Sequence, residues 1–485
     1  MARKKTRRTI KQIRRTRNRR YKGGQGDDED YSLSNIQSIL KSKIAKKRTQ
    51  DRFHRRAVTQ NAKHKEMLQS AFQLNPPLSG VLKIECKNPD NCVALGRYGY
   101  ALKKYFNNFS DLTLIDNAGL KRLGAPSANG FVVEVPFIKG GYKAYSALKC
   151  SSKEESDNLY YEFFVGTQFI NTYITKLPCF VETFGCYNFN SESEWSQFKT
   201  CATTNSFVNI DLQNMITPFV NTGENSKQLF EKSCEKNKLI CVLIQHFDNV
   251  KSFLHEYTHE YDNIKYDLYC LLYQVYFGLT QLGNTYTHYD LHPDNVLLYK
   301  PYDGRQYITM RYHSNGQIYE FKSEFISKII DYGRNYIKLP NGDDTNNLLT
   351  GPDGICNLSK CQPYCGENVG YSTIQGTADD PSCDFYDIFP NIPNMSHDLR
   401  LGKNLIKMNI NYLTKYGTPQ NLTTGIGIIN NIFDMRTELE RLMGSIASPA
   451  FNAAKQIKKY DASWKQAAIM EIFDNGQDYT YTVTP

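Results

Sequence analysis

The sequence predicts an α+β protein, and three observations lead there. First, Asp267 to Leu282 carries apolar residues at Leu268, Leu271, Leu272, Val275, Leu279 and Leu282, the spacing of one buried helical face. Second, β-rich runs lie on both sides of that helix, with Phe131 to Val135, Tyr145 to Lys149 and Leu239 to Phe247 before it and Val296 to Tyr299 after it. Third, 485 residues suffice to bury two lobes and still carry appendages. Gln274 and Gln281 interrupt the apolar helix, so it reads as a core helix, and neither a membrane span nor a secretion signal is expected.

Net charge is +10 but unevenly spread. Residues 1–65 hold 22 Lys and Arg against five acids, a net of +17, while the remaining 420 hold 37 basic against 44 acidic side chains, a net of −7. A mildly acidic body therefore carries a strongly basic arm. Residues 1–32, ending in Gly23-Gly24-Gln25-Gly26 and Asp27 to Asp30, have too few apolar side chains for a core and are expected to be a disordered arm and linker. Residues 33–119 are expected to be a helical extension, with Asn75-Pro76-Pro77 stopping its first helical stretch. A solvated tail or a nuclear localisation signal would account for the arm; the charge density favours binding of nucleic acid or another polyanion through residues 1–65. Thirteen scattered cysteines suggest free thiols in a reducing compartment. Their one cluster, Cys356, Cys361, Cys365 and Cys383, lacks paired Cys-x-x-Cys spacing, so loop thiols are expected over zinc.

Between the apolar helix and the next strand lies Thr287-His288-Tyr289-Asp290-Leu291-His292-Pro293-Asp294-Asn295-Val296. It sets a carboxylate and an amide five residues apart in a loop bent by Pro293. Downstream, Ile329-Ile330-Asp331-Tyr332-Gly333 delivers a second carboxylate on an apolar strand. In this order, His288-x-Asp290-x-x-x-x-Asn295 and Asp331-Tyr332-Gly333 resemble the catalytic loop and metal-binding triplet of the protein-kinase-like family. The resemblance implies a bilobal fold, with a small β-rich N-lobe holding one key helix (residues 120–248) and a larger helical C-lobe (residues 249–485). It implies ATP and Mg2+ as cofactors. Asp290 would orient the substrate hydroxyl, Asn295 and Asp331 would hold magnesium against the phosphates, and His288 and Gly333 would give structural support. The distance from Asn295 to Asp331 exceeds the family's short hairpin. Gln306 to Met310 and Ile318 to Phe321, about Asn315-Gly316, are expected to form an extended hairpin that leaves both ends of the site in place.

The same resemblance orders the upstream chain. Leu123 to Val135 resembles a nucleotide-covering loop between two strands that keeps only the outer glycines, Gly124 and Gly130, with Ser127 between them as a further cofactor contact. Lys149 would meet the α- and β-phosphates. Ser152-x-x-Glu155 reads as a capping box opening a helix from about Lys153 to Thr172. On that helix Glu162 would pair with Lys149; Glu154 and Glu155 are nearby surface alternatives, but the apolar neighbours of Glu162 turn it inward. Pro178 to Phe184 suits the next strand, residues 188–237 form a polar insertion, and Leu239 to Phe247 leads into a hinge. There adenine would bond backbone groups about Gln245, His246 and Phe247. A short helix is expected to begin over Val250 to His255.

Beyond Gly333 the chain to Asn394 is rich in Gly, Pro, Asn and Asp, as an activation or substrate-binding segment would be. Ser396 to Arg400 opens a helix running to about Tyr416, on which Asp398 would brace the catalytic loop, and residues 423–475 read as helical. Tyr289 stands where regulated members of the family carry an arginine for an activating phosphate, which implies activity independent of that switch. Leu159-Tyr160-Tyr161-Glu162, Val165-Gly166, Pro178 to Thr183 and the Arg-rich opening further resemble the serine/threonine kinases of giant DNA viruses, with a virion or infected-cell cytoplasm as the setting. The leading expectation is phosphoryl transfer to serine or threonine of a protein substrate. Asp290-Leu291-His292-Pro293-x-Asn295 also resembles the loop of aminoglycoside and choline kinases, in which His292 replaces the protein-kinase lysine. An inactive kinase fold serving as a virion architectural or nucleic-acid-binding protein is the third reading.

Overall fold

Alternating apolar side chains at Phe131, Val133, Val135 and Phe137 bury one face of a ten-residue strand, β2 (Gly130–Lys139), and a sheet grows on either side of it. The computed structural model describes residues 103–484, apart from 125–129, 140–141, 154–158, 220–227, 230–232, 234–235, 249, 303, 346–392, 396, 406–428, 430, 446–447, 450–455 and 457. The basic arm and linker, residues 33–102 of the extension, Ser127, Glu155 of the capping box, the four-cysteine cluster and most of the segment after Gly333 thus lie outside the described residues.

The architecture is α+β. Strands β1 (Lys121–Leu123), β2, β3 (Tyr142–Ser151), β4 (Thr183–Phe189), β5 (Ile216–Pro218) and β6 (Ile240–Gln245) form an antiparallel sheet in the order β1-β2-β3-β6-β4-β5. Helix α1 (Leu159–Gln168) lies between β3 and β4 in the chain. Residues 103–119 close the sheet's apolar face, where the Phe109 ring sits 5.1 Å from Phe137 and 4.8 Å from Phe184. The polar stretch 188–237 supplies α2 (Glu192–Thr204), capped by the Ser191 side chain, and the edge strand β5. Buried Phe198 of α2 packs on Phe131 and Phe189, so the stretch builds onto the sheet.

The second half is centred on α4 (Leu268–Leu282), which follows β7 (Val250–Ser252) and α3 (Phe253–His259) and is buried along nearly its whole length. Buried Gln274 is satisfied by the next layer, accepting the Ser327 amide at 2.8 Å and donating to the Phe325 carbonyl at 3.2 Å. After α4 come β8 (Tyr286–Thr287), β9 (Val296–Tyr299), β10 (Gln306–Ser314), β11 (Gln317–Ser323), β12 (Ile326–Ile329) and β13 (Tyr336–Ile337). β9 pairs with β12 and β7, and β8 with β13. The expected long hairpin is β10 and β11, turning through Asn315 at φ 50° and Gly316 at φ 75°, the positive pair that suits a tight hairpin. Beyond it lie α5 (Arg400–Leu405), α6 (Ile432–Met443), a short pair β14 (Gly444–Ser445) and β15 (Ser448–Pro449), then β16 (Lys465–Phe473) and β17 (Thr480–Val483).

Three local expectations are corrected. The helical reading of residues 423–475 is overturned at β14, β15 and β16, while α6 and residues 456, 458 and 459 are helical; β16 runs parallel to β10 and pairs with β17 in a four-stranded sheet. Ala467, Met470 and Glu471 favour helix locally, but an open edge of β10 and burial of Ala468, Met470 and Ile472 on one face decide the outcome. β4 starts at Thr183, since Phe180 is tied by a single parallel bridge to Ile329. Val250–Ser252 is a strand, and the helix begins at Phe253 with Ser252 as its cap. Among the described residues no helix is long and apolar enough to cross a membrane.

α1 meets β4 with no room to spare. A Cβ on Gly166 would lie 2.1 Å from Thr183 Oγ1 and 2.7 Å from its Cβ. Thr183 is β-branched and buried, so it cannot swing away. Gly166→Ala is therefore expected to cost about 1–3 kcal/mol of overpacking. The check is the urea midpoint, which should fall in the variant and recover in part with Thr183→Ala; an unchanged midpoint would refute the packing argument.

Candidate active site

Four elements converge on one cluster of charges. β3 carries Lys149, whose Nζ lies 2.6 Å from Glu162 Oε2 on α1 and 2.7 Å from Asp331 Oδ1 beyond β12. Glu162 is 2% exposed, so its inward turn is realised. Burial alone would lower the Lys149 ammonium, but the two carboxylates outweigh it and keep the pKa above the ordinary lysine value. Burial likewise works to raise the Asp331 carboxyl, yet the Lys149 ammonium holds it below the usual carboxylate range. Both groups are therefore charged at neutral pH.

The loop after α4 supplies the rest. His288 is fully buried, with Nδ1 accepting the Asp290 amide at 3.2 Å and Nε2 donating to the Ile330 carbonyl at 2.9 Å. Burial pushes its pKa down to about 4, so a neutral imidazole clasps the Asp290 loop to the strand before Asp331. The Asn295 Nδ2 donates to the Asp290 carbonyl at 2.9 Å, while the Asn295 carbonyl accepts the Ile330 amide at 3.0 Å. Those bonds set Asn295 beside the Asp331 strand. His292 caps the turn Pro293–Asn295, its Nδ1 accepting the Asp294 amide at 3.3 Å, and its Nε2 lies 3.8 Å from Asp290 Oδ1. Burial depresses the His292 pKa, which leaves the ring neutral at pH 7. Burial raises the Asp290 carboxyl, against the pull of His292, Arg334 and Arg400.

Two non-glycine residues here hold left-handed backbone, Tyr289 at φ 61° and Asp331 at φ 71°. The surroundings fix both. Asp398, 1% exposed, accepts the His288 amide at 2.8 Å and the Tyr289 amide at 3.0 Å, the brace expected of it. Burial pushes the Asp398 carboxyl up to about 7. Tyr289 itself is buried and packs on His397. Gly333 is buried beside Tyr332, whose hydroxyl accepts the Val181 amide at 2.8 Å.

The nucleotide-side residues are placed less evenly. Gly124 (φ 63°) and Gly130 flank residues 125–129 at the ends of β1 and β2, and a Cβ on Gly130 would meet the Cys150 carbonyl at 2.6 Å. At the end of β6 the Gln245 amide donates to the Glu182 carbonyl at 2.8 Å, so that N–H is committed within the sheet. The His246 Nε2 lies 2.9 Å from Glu134 Oε2, and the Phe247 ring packs 4.9 Å from Tyr299. These three sit just past Val242, the cross-strand partner of Lys149.

Two residues escaped the sequence reading. Asn335 donates to the His288 carbonyl at 2.8 Å and accepts the Tyr286 hydroxyl at 2.7 Å, tying the segment after Gly333 to the loop. Its only sequence signal is an asparagine two positions past the triplet. Arg400, 3% exposed, donates from Nη1 to Asp290 Oδ1 at 2.8 Å.

Among the described residues no group of three or more His, Cys, Asp and Glu could enclose a metal. Magnesium needs no such cage, since one or two protein oxygens plus water and phosphate suffice. The Asp331 carboxylate and the Asn295 amide oxygen, whose nitrogen is spent on Asp290, fit that demand. Neither a protein-family model nor any curated protein sequence matches the chain.

Proposed function

We propose that this protein is an ATP- and magnesium-dependent kinase of the bilobal protein-kinase-like fold, transferring phosphoryl groups to serine or threonine of proteins. The observation that carries the reading is Lys149 held by both Glu162 and Asp331, residues 13 and 182 positions away in sequence. Two carboxylates about one lysine are not enough by themselves, since Lys459 also pairs with Asp267 and Glu324; what sets Lys149 apart is the loop beside it. A lysine kept charged between an α1 carboxylate and a metal-type carboxylate, beside a loop carrying Asp290 and Asn295, is the arrangement phosphoryl transfer uses. In this reading the six-stranded sheet with α1 is the N-lobe and the part built on α4 is the C-lobe.

Each residue then has a task. Lys149 binds and orients the α- and β-phosphates. Asp290 accepts or directs the proton of the attacking hydroxyl. Asn295 and Asp331 would hold magnesium, which supplies charge neutralisation on the phosphates when bound. Backbone between Gly124 and Gly130 covers the nucleotide, and groups about Gln245, His246 and Phe247 receive the base.

The position of His292 favours a second reading, transfer to small molecules of the aminoglycoside or choline class, because a neutral imidazole 3.8 Å from Asp290 replaces a standing lysine charge. A giant-virus setting, in the virion or infected-cell cytoplasm, accords with the Arg-rich opening, and residues 1–65 are proposed to bind nucleic acid or another polyanion. The test is radiolabelled phosphate transfer by the full chain and by residues 66–485 to basic protein, acidic protein and aminoglycosides. Magnesium-dependent labelling of protein by both forms, with salt-sensitive polyanion binding by the full chain alone, is expected. Labelling confined to aminoglycosides would replace the first reading by the second, and transfer to none of them would overturn both.

A further inference from the structure

One short segment grips the catalytic loop from below at three points. Asp398 takes the amides of His288 and Tyr289, and two residues later Arg400 reaches the Asp290 carboxylate itself. We infer that Arg400 is a positioning residue that fixes the orientation of the Asp290 carboxylate from within the fold. This rests on the phosphoryl-transfer reading of the site.

The charges around Asp290 support the choice. Its carboxyl faces His292 from its own loop, Arg334 and Asp331 from the segment after β12, and Arg400 from α5. Arg400 donates a hydrogen bond to Asp290 Oδ1 at 2.8 Å, and at 3% exposure its guanidinium is shielded from salt and solvent. Asp290 keeps 15% of its side chain exposed, which leaves it open to a substrate while its inner oxygen is held. Tyr289 carries no charge, so the cation of this loop comes from α5 and is in place with no phosphate on the chain.

The experiment is steady-state kinetics of the full chain with ATP, magnesium and the protein substrate, separating kcat from KM, for wild type, Arg400→Met, Arg400→Lys, Asp290→Asn and the Asp290→Asn/Arg400→Met double variant. In Arg400→Met, kcat is expected to fall about 10- to 100-fold, a share of what a general base contributes, with KM for ATP little changed. Arg400→Lys should recover part of the rate. With Asp290 already amidated, removal of Arg400 should cost almost nothing further, since its effect runs through that carboxylate. If Asp290→Asn is inactive yet Arg400→Met keeps the wild-type kcat, the inference fails and the phosphoryl-transfer reading stands. If Asp290→Asn transfers as well as wild type, that reading fails first. Should Arg400→Met not fold, Arg400→Lys decides alone: a wild-type kcat would overturn the inference, and a reduced kcat with KM for ATP little changed would support it.

Discussion

On the phosphoryl-transfer proposal, Asp331→Asn should lower kcat/KM about 10²- to 10⁴-fold, the several kcal/mol that a metal-held charge would contribute to the transition state, while the protein stays folded. The fold survives for two local reasons. Asp331 sits at φ 71°, a backbone region that asparagine tolerates as well as aspartate does, so the substitution adds no backbone strain. Lys149 keeps Glu162 at 2.6 Å and is not left as an unpaired buried cation. Stability should change with pH in a definite sense. The Asp331 carboxyl is held below its ordinary value, so its ion pair stabilises the fold above the ordinary carboxylate range and ceases to do so as pH falls through the depressed value. The stability gap between wild type and variant should therefore narrow in acid. Unchanged turnover in a folded variant would remove Asp331 from the metal site.

Much of this site was legible because its residues are bound by short-range order. His288, Asp290 and Asn295 lie within eight residues, and a helix, a proline turn and a strand fix their geometry before any tertiary contact is known. Glu162 was legible for a different reason, since apolar neighbours on α1 leave it only an inward direction. Arg400 was not legible. An arginine opening a helix is ordinarily a solvated side chain, and only the packing of α5 under the loop turns it toward a residue 110 positions earlier. β16 was missed on similar grounds. Its residues suit either structure, and its partner β10 lies more than a hundred positions upstream. The backbone donor of Gln245 shows a further limit, because the Glu182 carbonyl that takes it is fixed by a neighbouring strand.

Asp398→Ala should be the most destabilising single change in the site. The carboxylate is 1% exposed and is the acceptor for two amides that no water reaches, those of His288 and Tyr289. Leaving a buried donor unsatisfied costs about 1–3 kcal/mol each, so the pair amounts to about 2–6 kcal/mol of a total that is ordinarily about 5–15 kcal/mol. A further contribution comes from the backbone. Tyr289 holds φ 61°, a conformation that a bulky residue keeps only while its surroundings enforce it, and the bond to Asp398 Oδ1 is one of those constraints. Asp398→Asn should fall between the two, because its oxygen can still accept one amide while its NH2 turns a donor toward the other. The order wild type, Asn, Ala in urea midpoint is the expected result. The loss should extend to the catalytic loop, since the same segment carries Arg400 to Asp290, and hydrogen exchange at the His288 and Tyr289 amides should quicken before global unfolding does. An alanine variant with a wild-type midpoint and protected amides would show that the loop is held by Asn335 and His288 without this brace.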